Sequence, residues 1–96
     1  MVVELLTFEI EPEIREAWME LEERVWSRFL ERQPGFVRKE LWVSDDAPSE
    51  VHAVIWWESM EQWKSITPEQ VAEVDERMGD LVREPTCRAM QVLREC

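Results

Sequence analysis

The sequence predicts an α+β fold with the element order βαββαβ, and three observations carry that prediction. Four runs, Val2 to Glu9, Phe36 to Ser44, Val51 to Glu58 and Thr86 to Leu93, read as strands, and the longer segments between them carry apolar residues at three- and four-residue spacing. All five prolines, Pro12, Pro34, Pro48, Pro68 and Pro85, fall where one pattern gives way to another, as suits a residue without an amide donor. The run from Val51 to Glu58 reads as a strand with two apolar faces. Val51, Ala53, Ile55 and Trp57 point one way, and His52, Val54, Trp56 and Glu58 the other.

Val2 to Glu9 is the first strand. Pro12 occupies the first turn of a helix running to about Arg32, a position that proline favours. Ile14, Trp18, Leu21, Val25 and Phe29 form its sheet-facing stripe, and Met19, Trp26 and Leu30 form a second strip to one side, suited to a partner or the end of the sheet. Pro34-Gly35 turns the chain into the second strand, Phe36 to Ser44, with Phe36, Arg38, Glu40 and Trp42 on one face and Val37, Leu41 and Val43 on the other. A polar loop, Asp45 to Glu50, joins it to the third strand as an antiparallel hairpin. Ser59 with Gln62 and Thr67 with Gln70 are two capping boxes eight residues apart, predicting a short helix, a break, and a longer helix to about Val82. Val71, Val74, Met78 and Leu81 are the core stripe of that longer helix, and Thr86 to Leu93 is the last strand.

This order is a split βαβ pair of the ferredoxin-like kind: one domain, residues 1–96, with a four-stranded antiparallel sheet and both helices on one face. The other face is left open, yet it carries Trp42, Val54 and Trp56. Six tryptophans exceed what a small monomer usually hides, so the open face calls for a second copy of the chain, a ligand, or both. The charge of −11, from 22 acidic and 11 basic residues, repels polyphosphates and anionic lipids and argues against nucleic-acid and membrane partners. With no long apolar run and no basic segment near Met1, the expected location is cytoplasmic. Cys87 and Cys96 offer neither a metal spacing nor a disulfide framework, and Gly35 and Gly79 form no phosphate loop, so neither a metal nor a nucleotide cofactor is expected.

The Pro34-Gly35-Phe36 turn, the strand Glu40-Leu41-Trp42 and the segment Trp57-Glu58-Ser59-Met60-Glu61-Gln62-Trp63-Lys64 resemble those of the dimeric α/β-barrel proteins, more narrowly the antibiotic-biosynthesis-monooxygenase-like superfamily. Within it the chain is most similar to a small family found chiefly in cyanobacteria. The resemblance implies a homodimer whose two sheets meet through their open faces, with a pocket in each subunit between sheet and helices. Relatives include cofactor-independent oxygenases acting on polycyclic phenols and haem-degrading oxygenases. The oxygenases commonly use an Asn on the first strand, where this chain, which has no Asn, offers Glu4 and Thr7. Haem-degrading members use a His on the helix after the signature, but Pro68 to Val82 contains none. A catalytic Trp of those enzymes lies slightly beyond the position of Trp63, where residues such as Ile66 stand here, so Trp63 reads as packing between helix and sheet.

Candidate chemistry rests on few residues. His52, the only histidine, is the natural proton carrier near neutrality, its competing reading being an interfacial structural role. Glu58, or Glu40, would serve as a base if buried among the tryptophans, although a carboxylate just before a helix cap is also favoured by the helix dipole. Trp42, Trp56 and Trp57 are the expected pocket walls, and Arg38 neutralises a substrate anion, pairs with Glu40-side residues across the dimer, or is simply an exposed strand residue. The expected function is binding of a small apolar or aromatic molecule. The alternative is its cofactor-independent monooxygenation.

Overall fold

The computed structural model describes residues 1–96, and its strands form a single antiparallel sheet. Strands β1 (Val2–Glu9), β2 (Phe36–Ser44), β3 (Ala47–Trp57) and β4 (Thr86–Gln91) stand in the order β2-β3-β1-β4, the ferredoxin-like arrangement. The two central strands pair from Val2 opposite Trp57 to Glu9 opposite Glu50. Alternation then sets Val2, Glu4, Leu6 and Phe8 on the same face as Val51, Ala53, Ile55 and Trp57. This is the helix-covered face. Trp57, Ile55, Ala53 and Val51 are all buried there, as the two-faced strand predicts.

The first helical segment, residues 12–31, is more varied than an α-helix. A 3₁₀ turn, Pro12–Ile14, leads into α1 (Arg15–Glu22); a π turn, Glu23–Ser27, comes next; and α2 (Arg28–Glu31) completes it. A π turn spaces its hydrogen bonds at five residues and so advances the phase of every residue after it. Val25 and Leu30, five apart, are both buried as a result, and Trp26 turns toward the interior. The strip of Met19, Trp26 and Leu30 therefore splits, with only Met19 left at the surface.

The second crossover carries α3 (Met60–Lys64), α4 (Pro68–Glu76) and a 3₁₀ turn, Gly79–Leu81. Ser59 Oγ accepts from the Gln62 amide at 3.2 Å, and Thr67 with Gln70 forms a complete capping box. α4 stops at Glu76, short of the expected Val82, and the chain turns through the left-handed conformation of Gly79. β4 ends at Gln91 rather than Leu93 and is exposed along its length.

Two register shifts in the β2–β3 hairpin depart from strict alternation. At Val37 a bulge lets Phe36 pair with Trp57 while Arg38 pairs with Trp56. Phe36 thereby joins the covered face and meets Trp57 edge to face at 6.0 Å, and Val37, expected inside, is exposed. At the other end Ser44 pairs with Ala47, so the turn is only Asp45-Asp46 instead of a longer loop. The excess chain, including Pro48, is absorbed as a second irregularity, where a missing amide costs no ladder bond. That stretch is tied down by the Ile10 amide donating to the Ser49 carbonyl at 2.7 Å and by Arg15 donating to the Pro48 carbonyl at 2.9 Å.

Candidate functional site

Between the covered face and the two helical segments lies a cavity of about 480 Å³, within the usual range for a small-molecule site. Glu4, Leu6, Phe8 and Ile55 line it from the sheet, and Cys87 from β4. Trp18, Glu22, Trp26 and Leu30 line it from the first helical segment; Trp63, Lys64, Ile66, Val71, Asp75 and Met78 line it from the second. Most of this wall is aromatic or aliphatic. The polar groups are few and each has a distinct setting.

Glu4 stands on the inward face of β1 and accepts a hydrogen bond from Trp57 Nε1 at 3.0 Å. Burial pushes its carboxyl above the usual range, opposed by the Trp57 bond and more weakly by the Lys64 and Lys39 ammonium groups. Glu22 stands on the last turn of α1 and pairs with Lys39, which also donates to Ser27 Oγ at 2.8 Å. Burial raises the Glu22 carboxyl too, with Lys39 pulling the other way. Asp75 accepts from Trp26 Nε1 at 3.1 Å across the two helical segments, and burial again raises it. Cys87 has its thiol pushed up by desolvation and by the nearby Glu4, which keeps it protonated. In all, the walls can enclose a flat apolar body and present carboxyl groups that burial makes hold their protons more tightly than in water.

None of the seven residues singled out from the sequence as candidate site residues lines this cavity. Arg38, Trp42, Trp56 and His52 are brought together on the opposite, open face by the alternation of β2 and β3. Arg38 lies over the Trp56 ring at 4.0 Å and pairs with Glu40 at 3.5 Å; Trp42 donates to Glu40 at 2.8 Å. His52 shares a hydrogen bond with Thr7 Oγ1 through Nδ1 at 3.0 Å and lies 3.4 Å from Glu50 through Nε2. Glu58 is exposed beyond the end of β3, its amide donating to the Gly35 carbonyl at 2.8 Å. Trp57 is on the covered face but fully buried behind the wall, where it holds Glu4. Trp63, read as packing, is buried and also forms part of the wall.

The polar residues of the cavity, and the lysine behind the wall that pairs with Glu22, were legible in part. Glu4 falls on an inward position of the first strand, Lys39 lies between Val37 and Leu41, and Glu22 stands one helical turn after Trp18. A charge at a core-facing position is the signal, and helix charges such as Glu16 and Glu20 conceal it by their number. As a haem site the cavity is poorly furnished: it offers no imidazole, and Cys87 is its one thiol.

The family model described as antibiotic biosynthesis monooxygenase matches residues 1–67. No curated protein matches the chain. Among solved structures, the chain is similar to the monooxygenase ActVA-Orf6 of Streptomyces coelicolor in complex with nanaomycin D, with a TM-score of 0.80, 20% identity, and coverage of 99% of this chain and 89% of that one. It is also similar to SnoaB, a cofactor-independent oxygenase from Streptomyces nogalater (TM-score 0.74, 17% identity, 98% and 94% covered). A third is the heme-degrader MhuD of Mycobacterium tuberculosis, with two hemes bound in its active site (TM-score 0.75, 22% identity, 100% and 99% covered). At these identities the likeness is one of fold.

Proposed function

The chain belongs to the antibiotic biosynthesis monooxygenase family, and from that premise we propose that it binds a small, planar, largely apolar or aromatic molecule in the cavity between sheet and helices. The observation that carries this reading is the cavity itself, about 480 Å³ in volume with twelve hydrophobic residues among the nineteen that line it. Trp18, Trp26 and Trp63 supply flat faces, and Glu4, Glu22 and Asp75 supply the few polar groups that orient a ligand. Titration with 2-naphthol, monitored by tryptophan fluorescence, tests it. Saturable quenching is expected, and Val71→Arg, which puts a bulky charge on a partly exposed wall residue, should weaken binding by about tenfold or more. Quenching that does not saturate, or that ignores the substitution, removes the reading.

A second reading, cofactor-independent monooxygenation of that molecule, is favoured by Glu4. A carboxylate in an apolar cavity is a stronger base than one in water, and removing a proton from a phenol or an activated methylene leaves an electron-rich anion that O₂ can oxidise directly. One oxygen atom enters the substrate and the other leaves as water, with electrons and protons supplied by the substrate alone. Glu4→Gln keeps an acceptor for Trp57 but cannot take the proton. Oxygen uptake with anthrone should fall by about a hundredfold in that variant; if the unaltered protein consumes no oxygen, binding stands and monooxygenation does not. Added haem should show no Soret shift of the kind that axial ligation produces.

We also propose that two copies associate through their open sheet faces. Trp42 is 48% exposed beside Trp56, over whose ring Arg38 lies, an aromatic surface with a polar fringe of the kind found at interfaces.

A further inference from the structure

Five charged side chains line the cavity: Glu4, Glu22, Lys64, Asp75 and Arg83. Four of them are engaged within the protein. Glu4 accepts from Trp57, Glu22 pairs with Lys39, Asp75 accepts from Trp26, and Arg83 pairs with Glu11 at 3.0 Å. Lys64 is the exception. Its ammonium joins none of the ion pairs of the chain and lies 4.3 Å over the ring of Trp63, a buried residue of the same wall.

Lys64 is the last residue of α3, and its charge acts on Glu4 of β1 and on Cys87 of β4, opposing in each the larger effect of burial. Those two residues stand on paired strands, Glu4 opposite Ala89 and Leu6 opposite Cys87. The ammonium therefore bears on the sheet wall of the cavity. The Trp63 ring covers one side of it, and its remaining N–H donors are free to meet an acceptor. Lys64 is also exposed, so an entering molecule reaches it without rearrangement. Glu4 competes weakly for it, because burial disfavours the charged form of that carboxyl.

We propose that Lys64 is an anion subsite at the rim of the cavity and that the ligand is an aromatic carboxylate, its ring system held by the apolar wall and its carboxylate by the Lys64 ammonium. The charge balance selects a single negative charge. One ammonium neutralises one carboxylate, whereas a phosphate dianion would keep an excess charge beside Glu4 in a chain of −11. A neutral hydroxyl or ether gains little from an ammonium that water already solvates, and an amine is repelled by it. The inference rests on the cavity being the aromatic-binding site and adds the charge the molecule carries and the point at which it is held. The competing account is a solvated lysine that serves only as the cation at the end of α3.

2-Naphthoate and 2-naphthamide, alike in shape and different in charge, are titrated calorimetrically into the full chain near neutral pH at low salt. The naphthoate is expected to bind about tenfold tighter, the value of one charge-assisted hydrogen bond at a partly exposed site, and to lose that advantage as salt is raised. Lys64→Met keeps the length of the side chain without its charge. It should bring the naphthoate to within about threefold of the naphthamide and leave the naphthamide unchanged, while Lys64→Arg retains the preference. Equal affinities in the unaltered protein overturn the subsite and leave the cavity reading standing. A preference that survives Lys64→Met, or equal weakening of both molecules by it, overturns the subsite too, since Lys64 then gives no charge recognition. No affinity for either, with 2-naphthol still quenching saturably, overturns the subsite alone; no affinity for any of the three overturns the cavity reading with it.

Discussion

Glu4 and Glu22 occupy positions that a packing rule would give to apolar residues, and their titration is linked to stability. Burial raises the Glu4 pKa above its ordinary value of 4.5, so the folded chain holds this proton more tightly than the unfolded chain. Stability from such a group is full below the unfolded pKa and is lost as pH rises through the folded one. Glu4→Gln keeps the Trp57 acceptor without the charge. It is expected to be more stable than the unaltered protein near neutrality and to flatten the decline of stability above about pH 4.5, as urea midpoints across that range will report; parallel curves for the two proteins would refute the linkage. Lys39 is the cation shared by the site. Removing it leaves Glu22 buried and unpaired, so Lys39→Ala should cost about 3 to 5 kcal/mol, and the double change Glu22→Gln with Lys39→Met should recover most of that in the same unfolding assay. A double variant no better than the single one would show that the ion pair is not the cause.

The segment that identifies the family is a structural joint at the scale of elements. Gly35 adopts φ +84°, its carbonyl accepts the Glu58 amide, and a Cβ there would stand 2.4 Å from Gln62 Oε1. Gln62 in turn bonds Ser59 at the start of α3. The Pro-Gly-Phe turn and the Glu58–Gln62 corner are therefore one packed unit, which explains why both belong to a recognisable signature without lining the cavity. Gly35→Ala combines left-handed strain with this clash and should cost more than about 1 kcal/mol, whereas Thr67→Ala, losing one cap, should cost about 1 kcal/mol. Thermal unfolding of the two will rank them; a harmless Gly35→Ala would dissolve the joint. Most element bounds were legible from period and caps. Phe36 and Trp26 were not, because a bulge and a π turn each insert one residue and change which face the neighbouring side chains take.

Charge and apolar surface compete at the scale of the whole molecule. Each copy carries −11, so like copies repel at long range, while the open face with Trp42 and Trp56 favours contact. Association is expected to tighten as salt screens the repulsion, and Trp42→Arg should weaken it by about tenfold or more, measured by sedimentation. A monomer at micromolar concentration in moderate salt would refute the interface. Alternation, prolines and capping boxes were enough to determine the fold class, the strand order's two-faced centre and the surplus of aromatic surface, because each is written in local spacing. Which face encloses a cavity, and which charges stand inside it, only the tertiary structure decided. Glu4, Glu22 and Lys39 look like any other charges along the chain, and their meaning comes from burial and from partners 17 to 53 residues away.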